Sequence, residues 1–115
     1  MHKNIWLAAL LSLSAASAFA GANIAAGKAL VEKSNCASCH GKDFNSPIDP
    51  TYPKLAGQHA DYIVQALVAY QRGSTGPNGR SNAIMGAQAK VLSHTDVQDI
   101  AAYLQSLPGS LVVQK

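Results

Sequence analysis

The sequence predicts an all-α domain. Apolar residues recur at helical spacing in three separate stretches, and no segment alternates apolar and polar residues as a half-buried strand does. Length and composition fit one compact domain and leave no room for a second: 115 residues, 48% hydrophobic, 13% charged and 6% aromatic. The apolar residues are spread along the chain and the formal charge is only +3, which argues against disorder, while the whole is too polar for a membrane bundle.

Residues 1–20 are expected to stand outside that domain. Met1-His2-Lys3 gives a basic start, Ile5 to Ala16 is apolar apart from two serines, and Ala18-Phe19-Ala20 supplies an A-x-A cleavage pattern, so the segment reads as a secretory signal peptide. A retained anchor would need ~20 apolar residues, and this stretch is shorter. The expected mature domain is 21–115, exported to the periplasm, with Gly21 and not a cysteine at the new N-terminus to carry a lipid, and no membrane insertion once the signal is removed. Without Lys3, eight basic residues face six acidic ones, interleaved with no basic run, so nucleic acid is not an expected partner. Trp6 leaves with the signal too. So few large side chains bury a thin core, and a domain of this size then needs a staple, a metal or a cofactor.

The first helix is placed on Ile24, Ala25, Leu30 and Val31, an apolar set around Gly27 that ends near Ser34-Asn35. A second runs from about His59 to Arg72, with Ile63, Ala66, Leu67 and Tyr70 on one face and Gly73 closing it. The third opens on a capping box at Ser93-His94-Thr95-Asp96, continues through Val97, Ile100, Ala101, Leu104 and Leu107, and stops at Pro108-Gly109. Between them lie polar loops, Gly41 to Gln58 and Gly73 to Asn82, and then Asn82 to Gly86, which is expected to be extended. Loops this long in so small a domain are expected to do more than connect helices.

They flank the one sharp motif, Cys36-Ala37-Ser38-Cys39-His40, which holds both cysteines of the chain. Three uses compete. An exported protein can form a disulfide, but a thioredoxin-type C-x-x-C belongs to an alternating α/β pattern that is missing here. Structural zinc takes four protein ligands, which one cysteine pair and scattered histidines supply poorly. The third use is covalent attachment of a c-type haem. Two thiols a turn apart can add to the two vinyl groups on one porphyrin edge, with the adjacent imidazole of His40 beneath the iron. A large apolar cofactor would also fill the thin core. A second axial ligand in an electron carrier is Met or His. Met85 is the only methionine after the predicted cut, and His59 and His94 are its rivals.

These pieces, in this order, resemble the class I cytochromes c. The resemblance is strongest to the small bacterial monohaem members and to single halves of the dihaem periplasmic cytochromes. It rests on Gly27, on Cys36 to Gly41, on Tyr52-Pro53-Lys54-Leu55-Ala56-Gly57-Gln58, on Asn82 to Gly86 with Met85, and on Ala101-Ala102-Tyr103-Leu104. It implies a small class I cytochrome c fold, with three main helices and long loops around one covalently attached haem c. Cys36 and Cys39 would carry the haem, with His40 and Met85 as axial ligands. The Pro53 carbonyl would accept the His40 ring N–H, a bond that orients the ring and raises its basicity, and Leu55 would pack on the haem. Gly27 and Tyr103 would mark the crossing of the terminal helices. Arg80 and Asn82 would bond a propionate or the ligand loop, or else be merely solvated. Tyr62 and Tyr70 would lie near the haem or simply pack.

With both axial positions filled, the implied function is one-electron transfer without enzymatic turnover. The carrier would pass electrons from a membrane respiratory complex or soluble donor to an oxidase or reductase, through transient redox contacts, with Lys42 and Lys54 available for steering. The rival is a haem protein that senses a gas or acts as a weak peroxidase through a displaceable Met85, an option opened by the glycines at 73, 76, 79 and 86. A third is a subunit held within a larger complex.

Overall fold

The computed structural model describes residues 21–111, so the predicted signal peptide lies outside the described residues. The described residues are all-helical, with no strand and five helices: α1 Ile24–Lys33, α2 Ala37–His40, α3 Ala60–Arg72, α4 Ala83–Lys90 and α5 His94–Ser106. The three helices with clear periodicity are α1, α3 and α5. No helix among the described residues is long and apolar enough to cross a membrane.

Each long helix starts and stops for a local reason. In α1, the Asn23 side chain accepts the Ala26 N–H at 3.0 Å, and Lys28 pairs with Glu32 one turn on at 3.2 Å. The helix ends where Asn35 turns to φ 55°, a left-handed conformation that asparagine tolerates better than most residues. Its buried residues are Gly27 and Val31, whereas Ile24, expected on the inner face, is half-exposed. Ile24 occupies the first helical position, before α1 has reached its crossing with α5. Gly73, at φ 60°, closes α3. The capping box of α5 is fully formed: Asp96 N–H donates to Ser93 Oγ at 3.1 Å, and Ser93 N–H to Asp96 Oδ2 at 3.0 Å. Ser93→Ala is expected to lower stability by about 1 kcal/mol, read as a lower urea midpoint at unchanged m.

The core sits where α1 and α3 pack on α5, and α4 lies against α3. Val31, Ile63, Leu67, Val97, Ile100 and Leu104 fill it, joined by Phe44 from the first long loop. The Phe44 ring meets Tyr103 edge-on at 6.3 Å, and its carbonyl takes the amides of Leu55 and Ala56. The crossing of α1 and α5 depends on Gly27. A Cβ there would overlap the carbonyl oxygen of Asp99 and stand 2.9 Å from Tyr103 Cβ. Asp99 is buried at the same crossing, its carboxylate accepting the Asn23 N–H at 2.7 Å.

The expectation of an extended Asn82 to Gly86 segment is wrong. Asn82 is the N-cap of α4, its side-chain oxygen accepting the N–H groups of Ile84 and Met85 at 3.0 and 2.9 Å. Gly86 disguises the helix, since glycine costs ~1 kcal/mol in a helix interior. Ala83, Ala87 and Ala89 favour helix, and Gly86 and Ala89 face inward on α3.

Candidate functional site

The pentapeptide Cys36 to His40 folds as a single helical turn directly after α1. Cys36 stands at the cap of α2, Ala37 to His40 form the turn, and Gly41 ends it at φ 89°. A Cβ on Gly41 would collide with the Ser46 carbonyl oxygen, so glycine is required for the chain to leave the turn this way. Beyond Gly41 the chain forms a tied loop. Asp43 Oδ1 accepts the amides of Asn45 and Ser46 at 2.9 and 3.0 Å, and these bonds hold its carboxyl below the usual carboxylate range. The Ile48 amide then returns to the Cys39 carbonyl at 3.0 Å.

His40 is only 7% exposed, and its Nδ1 lies 2.9 Å from the Pro53 carbonyl oxygen. A carbonyl only accepts, so Nδ1 must carry the proton and donate. The neutral ring then keeps its lone pair on Nε2, the form that binds a metal. Pro53 is held in place from both sides of the core. The amides of Leu55 and Ala56 bond Phe44 O at 2.7 and 2.9 Å, and the Gly57 amide bonds Leu104 O, at the end of α5, at 2.9 Å. Tyr52 adds a tilted ring 6.4 Å from His40.

Cys36, Leu55 and Met85 are all half-buried and pack against the domain's hydrophobic core. His59 and His94 are exposed at the starts of α3 and α5. Asn82 acts on the Met85 segment through its cap. Arg80 is held between two rings: its guanidinium carbon lies 5.7 Å from the centroids of both Tyr62 and Tyr70, with Nη2 donating to Tyr62 Oη at 3.3 Å. The Tyr62 and then the Tyr70 hydroxyl favour its charged form, and its amide bonds Ala69 O on α3 at 2.9 Å. The tyrosines thus anchor the chain leading into α4.

The chemistry of this donor set fits a covalently held haem better than the other uses of the motif. Cys36 and Cys39 form no disulfide with each other. Burial pushes the Cys36 thiol up, with neighbouring Cys39 adding to the effect against one backbone hydrogen bond, which is opposite to the depressed thiol of a redox C-x-x-C. Among the described residues, no three His, Cys, Asp or Glu side chains converge as a metal site, so zinc has no ligand set there. An imidazole with a free Nε2, a thioether and two adjacent thiols remain.

Sequence reasoning missed two polar groups that shape this region. Asp99 at the α1–α5 crossing looks like one more surface charge on a helix. Gln71, near the end of α3, gave no signal, because its partners are backbone carbonyls of another helix.

Comparison with known proteins agrees with this reading. Residues 24–108 match the family described as Cytochrome c. Cytochrome c4 of Stutzerimonas stutzeri is 42% identical over 80 residues, covering 66% of this chain and 38% of its own length. Cytochrome c-554(548) of Halomonas halodenitrificans is 41% identical over 71 residues, covering 62% of this chain and 82% of its own. The crystal structure of reduced recombinant cytochrome c4 from Pseudomonas stutzeri superimposes with a TM-score of 0.67 at 38% identity, over 80% of this chain and 48% of that one. The match therefore spans between 34% and 53% of the length of the cytochromes c4. It belongs to the cytochrome c family, as a class I cytochrome c related to the halves of the dihaem cytochromes.

Proposed function

We propose that this chain is an exported, one-haem electron carrier, cleaved after Ala20 and working in the periplasm between a respiratory donor and an oxidase or reductase. Cys36 and Cys39 hold haem c covalently, and His40 and Met85 are its axial ligands. Bound there, the haem supplies an iron that exchanges one electron between Fe(III) and Fe(II), with thioether ligation favouring the reduced state.

The observation that carries this reading is the His40 ring, buried and locked through Nδ1 on a carbonyl that the core itself fixes. A ring so held presents Nε2 in one direction and reorients little when the charge beside it changes. Met85 supports the carrier over the sensor or peroxidase, because it stands on a capped helix and not on a loose glycine loop. The docking partners are redox proteins met transiently, and Lys42 and Lys54 are exposed for that encounter.

Substitution of Met85 tests the ligand and the function together. In Met85→Ala, the ferric protein is expected to lose the weak far-red band of sulfur-to-iron charge transfer. Its potential should fall by on the order of 0.1 V, within the roughly 0.8 V range that axial ligands cover. Met85→His should keep six coordination at a lowered potential, and His59→Ala and His94→Ala should leave the spectrum unchanged. A far-red band that survives Met85→Ala would sink the assignment.

A further inference from the structure

We propose that Gln71 is a positioning residue for Met85, latching the helix that carries it from the neighbouring helix. The proposal rests on the reading of Met85 as an iron ligand. Gln71 is the second-to-last residue of α3 and is half-buried. Its Nε2 donates to Ala89 O at 2.9 Å and to Leu92 O at 3.0 Å. Both partners are carbonyls, so only the NH2 end of the amide can face them, and its two protons are both used.

Those carbonyls lie at the C-terminal end of α4 and just beyond it, where Ala89 O also accepts the Leu92 amide at 3.1 Å and Gln71 supplies the bond that comes from another helix. At the other end, Asn82 takes the free amides of Ile84 and Met85. Met85 sits between, three residues after Asn82 and four before Ala89. At eight residues α4 is too short to be stable alone, and its buried residues are Gly86 and Ala89, which leave half-buried Met85 as its one large apolar contact with the core. Its position therefore depends on polar closure at both ends. The Asn82 closure is local and travels with the helix. Arg80 ties the chain entering α4 to α3, and the Gln71 closure ties the C-terminal end of α4 to the same helix, so that Gln71 helps to set where the thioether stands relative to the core.

A latch of this kind sets how often Met85 leaves the iron. An added ligand that must wait for Met85 to leave binds with an apparent affinity scaled by the fraction of open molecules. Imidazole titration of the ferric holoprotein reads that fraction, with thermal unfolding by far-UV circular dichroism as the global reference. Gln71→Leu removes both donors, and its imidazole affinity is expected to rise roughly tenfold, the equivalent of losing hydrogen bonds of ordinary strength. Gln71→Glu keeps the shape but sets acceptors against acceptors, and should behave likewise. Gln71→Lys restores a donor of favourable charge for a helix C-terminus and should stay within about twofold of wild type on the same scale. Gln65→Leu, exposed on the same helix, should not change imidazole affinity.

Wild-type imidazole affinity in Gln71→Leu or Gln71→Glu would overturn the latch. So would an affinity in Gln71→Lys raised as far as in Gln71→Glu. If Gln71→Leu yields no holoprotein, the Glu and Lys pair still decides. A wild-type ferric spectrum without the far-red band would instead overturn the Met85 reading itself, a failure distinct from unchanged imidazole binding in a protein that shows the band.

Discussion

Replacing both Cys36 and Cys39 with Ser is expected to abolish coloured holoprotein altogether. In the proposed attachment each thiol would add its S–H across one vinyl group: a C–S bond would form, the hydrogen would end on the neighbouring carbon, and no external oxidant would be consumed. A serine hydroxyl is too weak a nucleophile to replace the thiol in this addition. Cys36 at the cap and the turn Ala37 to His40 would keep the proposed attachment points and ligand on one unit, so losing the thiols should remove the anchor without disturbing the His40 to Pro53 bond. Wild-type protein should keep its colour through acid-acetone extraction, and its intact mass should equal residues 21–115 plus one haem. Free thiols in the wild-type product or extractable haem would contradict covalent attachment, and a mass that still includes Trp6 would contradict cleavage after Ala20.

Gly27→Ala is expected to cost about 3 kcal/mol, at the upper end of overpacking penalties. The added carbon would overlap the Asp99 carbonyl oxygen and lie 2.6 Å from its carbon. Those are backbone atoms in the middle of α5, so no side-chain rotation relieves the contact. The two helices must separate, and the Asn23 to Asp99 hydrogen bond and the Phe44–Tyr103 edge contact are strained with them. Urea unfolding should show a lowered midpoint at similar m. A loss below about 0.5 kcal/mol, typical of surface substitutions, would mean that the helices do not cross as closely as described.

The parts of this fold that were legible in the sequence are those that carry their own signal. The α5 run from Val97 to Leu104 repeats its apolar face over about two turns behind an explicit capping box, and the motif from Cys36 to His40 is dense in unusual residues. Both can be read without knowing what lies opposite. Helix α4 was misread because its apolar face is made of Gly86 and Ala89, which matter by letting the backbone approach α3 and leave no hydrophobic period. The tyrosine cradle of Arg80 and the amide of Gln71 were illegible for a related reason. Each is half of an interaction whose other half is a ring or a backbone carbonyl many residues away, and a single sequence does not pair them. The Pro53 to His40 bond sits between these cases: family resemblance implied it, but only the packing of Leu55, Ala56 and Gly57 explains why the carbonyl is in place.

The central claim is that His40 and Met85 together fill the iron's axial positions, making the protein a carrier and not a sensor. Exposure of the dithionite-reduced wild-type protein to carbon monoxide at neutral pH tests this most directly. The ferrous spectrum is expected to stay unchanged, because Met85 on its capped helix keeps the sixth position closed. Rapid formation of a carbon monoxide adduct would contradict the claim.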